Sequence, residues 1–228
     1  MLKLYLFFCL VISNALANEK RPNIILVMAD DQGYGDAGFT GHPIIKTPHL
    51  DAMAKVAVVF NRFYAAAPVC SPTRASVMTG RHPFRTNVPN YGHYMRPHEV
   101  TIAESLQSAG YVTGHFGKWH IGSVQPESPT SPGKCGFDEW LTGLNFFDID
   151  PYLVKNGKYV QVKGQGSTIS MDATLEFLKK HKDGDKPIFA VTWFPAPHSP
   201  HKEIGAIGLY ANMKNRGYFQ EITLIDHE

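Results

Sequence analysis

Three short stretches of this sequence carry polar side chains directly after apolar runs. Asp30 and Asp31 follow Asn23-Ile24-Ile25-Leu26-Val27-Met28, Lys118 and His120 follow a run ending at Phe116, and His198 follows Ile188 to Phe194. Adjacent carboxylates repel unless a cation sits between them, and hard oxygen ligands favour Ca²⁺ or Mg²⁺. Taken alone, the Asp30-Asp31 pair reads more readily as a turn cap. A fourth stretch, Cys70-Ser71-Pro72-Thr73-Arg74, sets a thiol at a helix start, where free N–H groups suit a tetrahedral oxyanion. Arg74 adds a bidentate donor for the same anion. In open α/β sheets ligands bind beyond the carboxyl ends of the strands, so the three strand-end stretches converge on one site if their strands share one sheet.

The elements that must position these groups are legible in outline. The run at 23–28 fits a strand buried on both faces. Thr47-Pro48 looks like an N-cap and first helical residue, with Leu50, Met53, Ala54 and Ala57 as one apolar face. Residues 58–65 read as strand or extended chain. Ser71-Pro72 opens a short helix that ends at Thr79-Gly80, with Cys70 just before it. Thr101 and Glu104 form a capping box for a helix ending at Gly110. Residues 111–116 read as a strand, 123–166 as mostly irregular, Met171, Leu175 and Leu178 as a helix face, and 188–194 as a strand. This alternation implies an α/β fold, a mostly parallel sheet with helices on both faces.

Other pairings are weaker. Gly114-His115-Phe116-Gly117-Lys118 has the wrong spacing for a phosphate loop, and Trp119 stands where Ser or Thr would bind magnesium. His198 and His201 are spaced HxxH, but flanking prolines forbid the helix that would aim both at one metal. The other histidines are read as solvated or packed.

Composition limits the function classes. The chain has 228 residues, 43% hydrophobic and 18% charged, with a formal charge of +2 and three Cys. It is a globular chain, not a collagen, a low-complexity segment or a disulfide-stapled miniprotein. No run of like charges suggests nucleic-acid binding or a polybasic membrane anchor. Lys3, the apolar run 4–12 and Ala15-Leu16-Ala17 have the layout of a signal peptide over residues 1–17, too short to span a bilayer. That predicts an exported chain with no stable membrane anchor, periplasmic or secreted, or lysosomal or extracellular in a eukaryote. Residues 18–228 are then one domain, in which Cys70 and Cys135 remain.

Together these motifs resemble the sulfatase family of the alkaline phosphatase superfamily. The matching pieces run in order from Arg21-Pro22-Asn23-Ile24-Ile25 and Asp30-Asp31-Gln32-Gly33 through Thr47-Pro48-His49-Leu50-Asp51 to Cys70-Ser71-Pro72-Thr73-Arg74 and Thr79-Gly80-Arg81. Gly117-Lys118-Trp119-His120, Gly136-Phe137-Asp138-Glu139-Trp140 and Ala196-Pro197-His198-Ser199-Pro200 complete them. The resemblance implies an alkaline-phosphatase-like fold, here truncated at the C-terminus, and hydrolysis of the sulfate ester of a carbohydrate, other small molecule or aryl alcohol. It implies that a formylglycine-generating or sulfatase-maturing enzyme converts Cys70 to Cα-formylglycine, whose hydrate attacks sulfur. Asp30, Asp31 and the modified Cys70 would hold Ca²⁺, or less readily Mg²⁺. Arg74 and Lys118 would stabilise the sulfate charge, His198 would protonate the leaving oxygen, and His120 would take a proton from the hydrate. Family members run on past this length to further calcium ligands and a lysine. That leaves two other readings: a non-catalytic sulfatase-like domain, and a phosphodiesterase or phosphonate hydrolase of the same superfamily.

Overall fold

A computed structural model describes residues 21–202 and 207–228. The predicted signal peptide, residues 1–17, lies outside the described residues. Six strands form one mixed sheet: β1 (Ile24–Met28), β2 (Val112–Lys118), β3 (Glu139–Gly143), β4 (Tyr152–Lys155), β5 (Lys158–Gln161) and β6 (Ile188–Trp193). Their order is β1-β6-β2-β3-β4-β5. β1, β6, β2 and β3 run parallel, with Leu26 opposite Val191 and His115 opposite both Val191 and Trp140. β4 and β5 add an antiparallel hairpin at the far edge. The mostly parallel α/β architecture expected from the strand–helix alternation is the one observed.

Among the described residues five α-helices accompany the sheet: α1 (Pro48–Ala54), α2 (Cys70–Thr79), α3 (Ile102–Ser108), α4 (Gly166–His181) and α5 (Arg216–His227). One face packs against Ala75 and Met78 of α2 and Ala103 and Leu106 of α3, around Trp119, Phe137, Phe189, Val191 and Trp193. The other packs Phe116, Leu141, Ile188 and Ala190 against Ile169 and Phe177 of α4. β1 is an edge strand. Ile24, Leu26 and Met28 face the first core, while Ile25 and Val27 are 47% and 54% exposed. The two-sided burial read from the apolar run therefore holds on one face only among the described residues.

Four local expectations need correction. Cys70 is the first residue of α2, not the residue before it; Val69 is the extended N-cap. The capping position needs only an extended backbone there, which a β-branched Val supplies. Residues 58–65 form no strand, and Val58, Phe60, Phe63 and Tyr64 are exposed. Lys118 closes β2 instead of following it. The stretch 123–166 contains β3, β4 and β5, whose turn at Asn156-Gly157 has both residues at positive φ (48° and 86°). No helix among the described residues is long and apolar enough to cross a membrane.

Candidate active site

β1, β6 and β2 are adjacent and parallel, so their carboxyl ends lie side by side. Asp30 and Asp31 leave the end of β1, Lys118 and His120 the end of β2, and His198 the segment after β6. The β1–β6 pairing continues past the strands through Phe194 N–H to Met28 O (2.9 Å) and Asp30 N–H to Ala196 O (3.0 Å). These bonds fix where Asp30 leaves the sheet. The expected convergence of the strand-end residues is thus a matter of register.

Asp30 is the centre of the cluster. Its Oδ1 meets Arg74 Nη2 at 3.0 Å and its Oδ2 meets Lys118 Nζ at 2.6 Å, with exposures of 3%, 1% and 0% for the three side chains. Burial pushes the Asp30 carboxyl up, but Arg74 and then Lys118 outweigh it, holding the group below the ordinary value of 3.8. Burial presses Arg74 downward against the opposing pull of Asp30. A guanidinium stays charged in proteins, so the arginine remains a cation. Arg74 also donates from Nη1 to Lys118 O at 3.1 Å and lies 4.9 Å over the Trp193 ring. Arg74 and Lys118 place two cations against the one carboxylate of Asp30, with the Asp31 carboxylate beside them in the cleft.

Cys70 projects from the first turn of α2 beside this cluster. No side chain caps the start of that helix. The thiol is half-buried and free, and His120 Nδ1 lies 3.2 Å from its Sγ. His120 sits at a φ of 56°. Burial, then Lys118 and Arg74, lower its pKa to about 4, so the imidazole is neutral near pH 7 and can accept a proton from position 70. Asp31, also at positive φ (68°), faces His198, with Oδ2 and Nε2 3.6 Å apart. His198 Nδ1 lies 2.6 Å from Ser199 O and its ring stacks on Phe146. A cleft of about 390 Å³ is lined by Asp30, Asp31, Gln32, Cys70, Thr73 and Arg74. A larger cleft of about 870 Å³, lined by Tyr34, Phe39, Met53, Val58 and Phe60 among others, contains none of these groups.

The cysteine suits the modification better than the aspartates suit the metal. A free, partly accessible thiol opening onto a cleft, with a neutral imidazole against it, accommodates conversion of Cys70 to an aldehyde. Ca²⁺ takes six to eight oxygens. Asp30 has both oxygens in ion pairs, and no cluster of three or more His, Cys, Asp or Glu among the described residues is arranged to hold a metal. Asp30 and Asp31 by themselves do not make a calcium shell.

Three groups near the site had no role in the sequence reading. Asp36 and Tyr218 share a short hydrogen bond (2.5 Å), and buried Glu221 lies 3.4 Å from His201 Nδ1. Only Asp36, close after the Asp30-Asp31-Gln32-Gly33 turn, had a local signal. Tyr218 and Glu221 are brought in by α5 from the far end of the chain.

The family model described as Sulfatase matches residues 22–218. The chain is 35% identical over 186 residues to an ulvan-active sulfatase of Formosa agariphila, covering 79% of this chain and 36% of that one. It is 43% identical over 138 residues to human arylsulfatase A, covering 58% and 27%. A crystal structure of Ps i-CgsB in complex with k-i-k-neocarrahexaose superposes with a TM-score of 0.84 at 28% identity, over 91% of this chain and 53% of that one. BT4656 in complex with D-glucosamine-2-N,6-O-disulfate gives 0.71 at 30%, over 80% and 36%. The chain spans about a third of the length of these two curated relatives.

Proposed function

The chain belongs to the sulfatase family, and on that premise we propose that it is the part of a sulfate-ester hydrolase that carries the nucleophile position. The observation that carries the reading is the placement of Cys70. It opens α2 with the neutral His120 ring 3.2 Å from its sulfur, beside the buried Asp30–Arg74–Lys118 cluster. Formylglycine at position 70 would supply an aldehyde hydrate as nucleophile. The chain's own groups do the rest. Arg74 and Lys118 present positive charge to a sulfate group, in a site too buried for water to screen it. His120 accepts a proton at the side facing position 70. His198, on the opposite side of Asp31, is the group available to give a proton to the leaving alcohol. Asp31 and Asp30 are the carboxylates that would face a calcium ion, although by themselves they do not complete its shell.

The substrate class we propose is a sulfated carbohydrate or a smaller sulfate ester, with residues 18–228 forming the catalytic domain's N-terminal part and reaching an exported compartment. The two solved relatives, one in complex with k-i-k-neocarrahexaose and the other with D-glucosamine-2-N,6-O-disulfate, support a sugar. A maturing enzyme that oxidises Cys70 is the partner this reading requires. The test is mass spectrometry of the Cys70 peptide after co-expression with such an enzyme, followed by turnover of an aryl sulfate against a phosphate diester. Conversion of Cys70 and preference for the sulfate are expected. A thiol left unmodified in every condition, or preference for the diester, overturns the proposal.

A further inference from the structure

The turn that carries Asp31 is not held by its own backbone alone. Gly33 N–H donates to Asp36 Oδ2 at 2.8 Å, and Asp36 N–H returns to Gly33 O at 3.1 Å. Tyr218, from the first turns of α5, then closes on this loop from outside. Its hydroxyl lies 2.5 Å from Asp36 Oδ2, 3.3 Å from Asp31 O and 3.3 Å from Gly33 N. One hydroxyl proton serves one acceptor, and the shortest contact gives it to the Asp36 carboxylate. The oxygen then takes only the longer branch of the Gly33 N–H, whose shorter bond goes to Asp36 Oδ2. Burial and the Asp36 carboxylate push the phenol up to about 12, so it remains a donor. Its ring also meets the edge of His201 at 5.4 Å. One turn along the same helix face, Glu221 accepts from Lys202 N–H at 3.2 Å and touches His201. The helix therefore grips the Asp31 turn and the segment after His198 together, and those are the two sides whose side chains stand 3.6 Å apart.

We propose that Tyr218, acting through Asp36, is a positioning residue that fixes the Asp31 carboxylate against His198. The proposal rests on the functional reading above for what Asp31 does, and on the geometry alone for how it is held. A left-handed backbone at Asp31 (φ 68°) is disfavoured for a residue with a Cβ, so the turn needs outside bonds to keep it.

The test compares the full chain with Tyr218→Phe, which keeps the ring on His201 and removes only the hydroxyl. Two readouts are taken: amide hydrogen exchange of the peptide spanning residues 30–36, and kcat/KM on an aryl sulfate after maturation of Cys70. Exchange should speed up by roughly tenfold or more, the scale of a lost bond to a charged group. Turnover should fall roughly 10- to 100-fold, as for groups that orient a reacting side chain, while the melting temperature falls by only about 3–6 °C. Asp36→Asn weakens the same link from the other side and replaces Tyr218→Phe if that variant does not fold. Unchanged exchange over residues 30–36 overturns the proposal whatever the turnover, and so does faster exchange with unchanged kcat/KM. If the wild-type chain turns over no sulfate ester, the functional reading falls separately, and the exchange comparison still decides whether Tyr218 holds the turn.

Discussion

Asp30→Asn is the substitution whose cost follows most directly from the geometry. Asp30 is 3% exposed and balances two cations that are themselves 1% and 0% exposed. An amide keeps the shape but removes the charge. Its oxygen can accept from either Arg74 or Lys118, and its NH₂ group must then face the other cation. Breaking a buried ion pair by removing one partner costs about 3–5 kcal/mol, because the partner is left charged and dry. For a domain of this size each kcal/mol is worth about 2–4 °C, so the melting temperature should fall by roughly 6–20 °C. Differential scanning calorimetry and urea unfolding at pH 7 measure it. A second substitution separates charge from packing. Lys118→Met in the Asp30→Asn background removes the stranded ammonium, and the double variant should be more stable than Asp30→Asn alone. A loss under about 1 kcal/mol for Asp30→Asn, the size of a surface pair, would refute the picture of a desolvated cluster. So would a double variant that is less stable than the single one.

Three further outcomes follow from other parts of the fold. His115 is fully buried against Thr142, Trp119 and Trp193, and burial chiefly lowers its pKa to about 3. Between pH 6.5 and about 3 the unfolded imidazole holds a proton that the folded one lacks, so this residue makes stability fall with acidification. Its share is up to about 1.4 kcal/mol per pH unit, and a His115→Gln variant unfolded in urea across this range should lack that slope. Thr101→Ala removes a capping box in which Thr101 Oγ1 accepts from Glu104 N–H (3.1 Å) and donates to Cys135 O (2.7 Å). It should cost about 1–2 kcal/mol in urea unfolding, largely restored by Ser. Gly117→Ala places a Cβ 1.9 Å from Trp193 O at a φ of +111°, inside the parallel β2–β6 pair. A loss beyond about 4 kcal/mol is expected, seen as absence of folded protein by circular dichroism.

Local pattern carried the sequence reading a long way. β1 and β6 are short apolar runs bounded by turn residues, and Thr101-x-x-Glu104 marked a helix start that the structure reproduces atom for atom. Motif order marked the cluster at the strand ends, because Asp30, Lys118 and His198 each lie at or just past the end of an apolar strand. What escaped depends on pairing. β3, β4 and β5 lie in a Gly- and Pro-rich stretch whose composition hides them, although Asn156-Gly157 between Tyr152-Leu153-Val154-Lys155 and Lys158-Tyr159-Val160-Gln161 is a hairpin signal of its own. Residues 58–65 are apolar enough for a strand but find no ladder among the described residues. The ion pairs of Asp30 and the grip of Tyr218 on Asp36 join residues far apart in sequence, and a single chain has no pattern that announces such partners. The adjacent carboxylates alone read as a turn cap and only the family resemblance implies calcium there, while the Asp30 carboxylate pairs with two of the protein's own cations.

The strand order also sets a timetable. β1 is the first strand made, yet its neighbour in the sheet is β6, and Asn23 Oδ1 waits for the N–H of Ile188, 165 residues later. At synthesis rates of about 5–20 residues per second the ribosome needs roughly 8–33 s to cover that distance. Through that interval Asp30 has no Ala196 carbonyl to anchor it, and Cys70 has already been made without the finished wall around it. Until β6 is made, the cysteine segment lacks the β6 side of its site. If the cysteine is modified before the sheet closes, the position of β6 sets the time available.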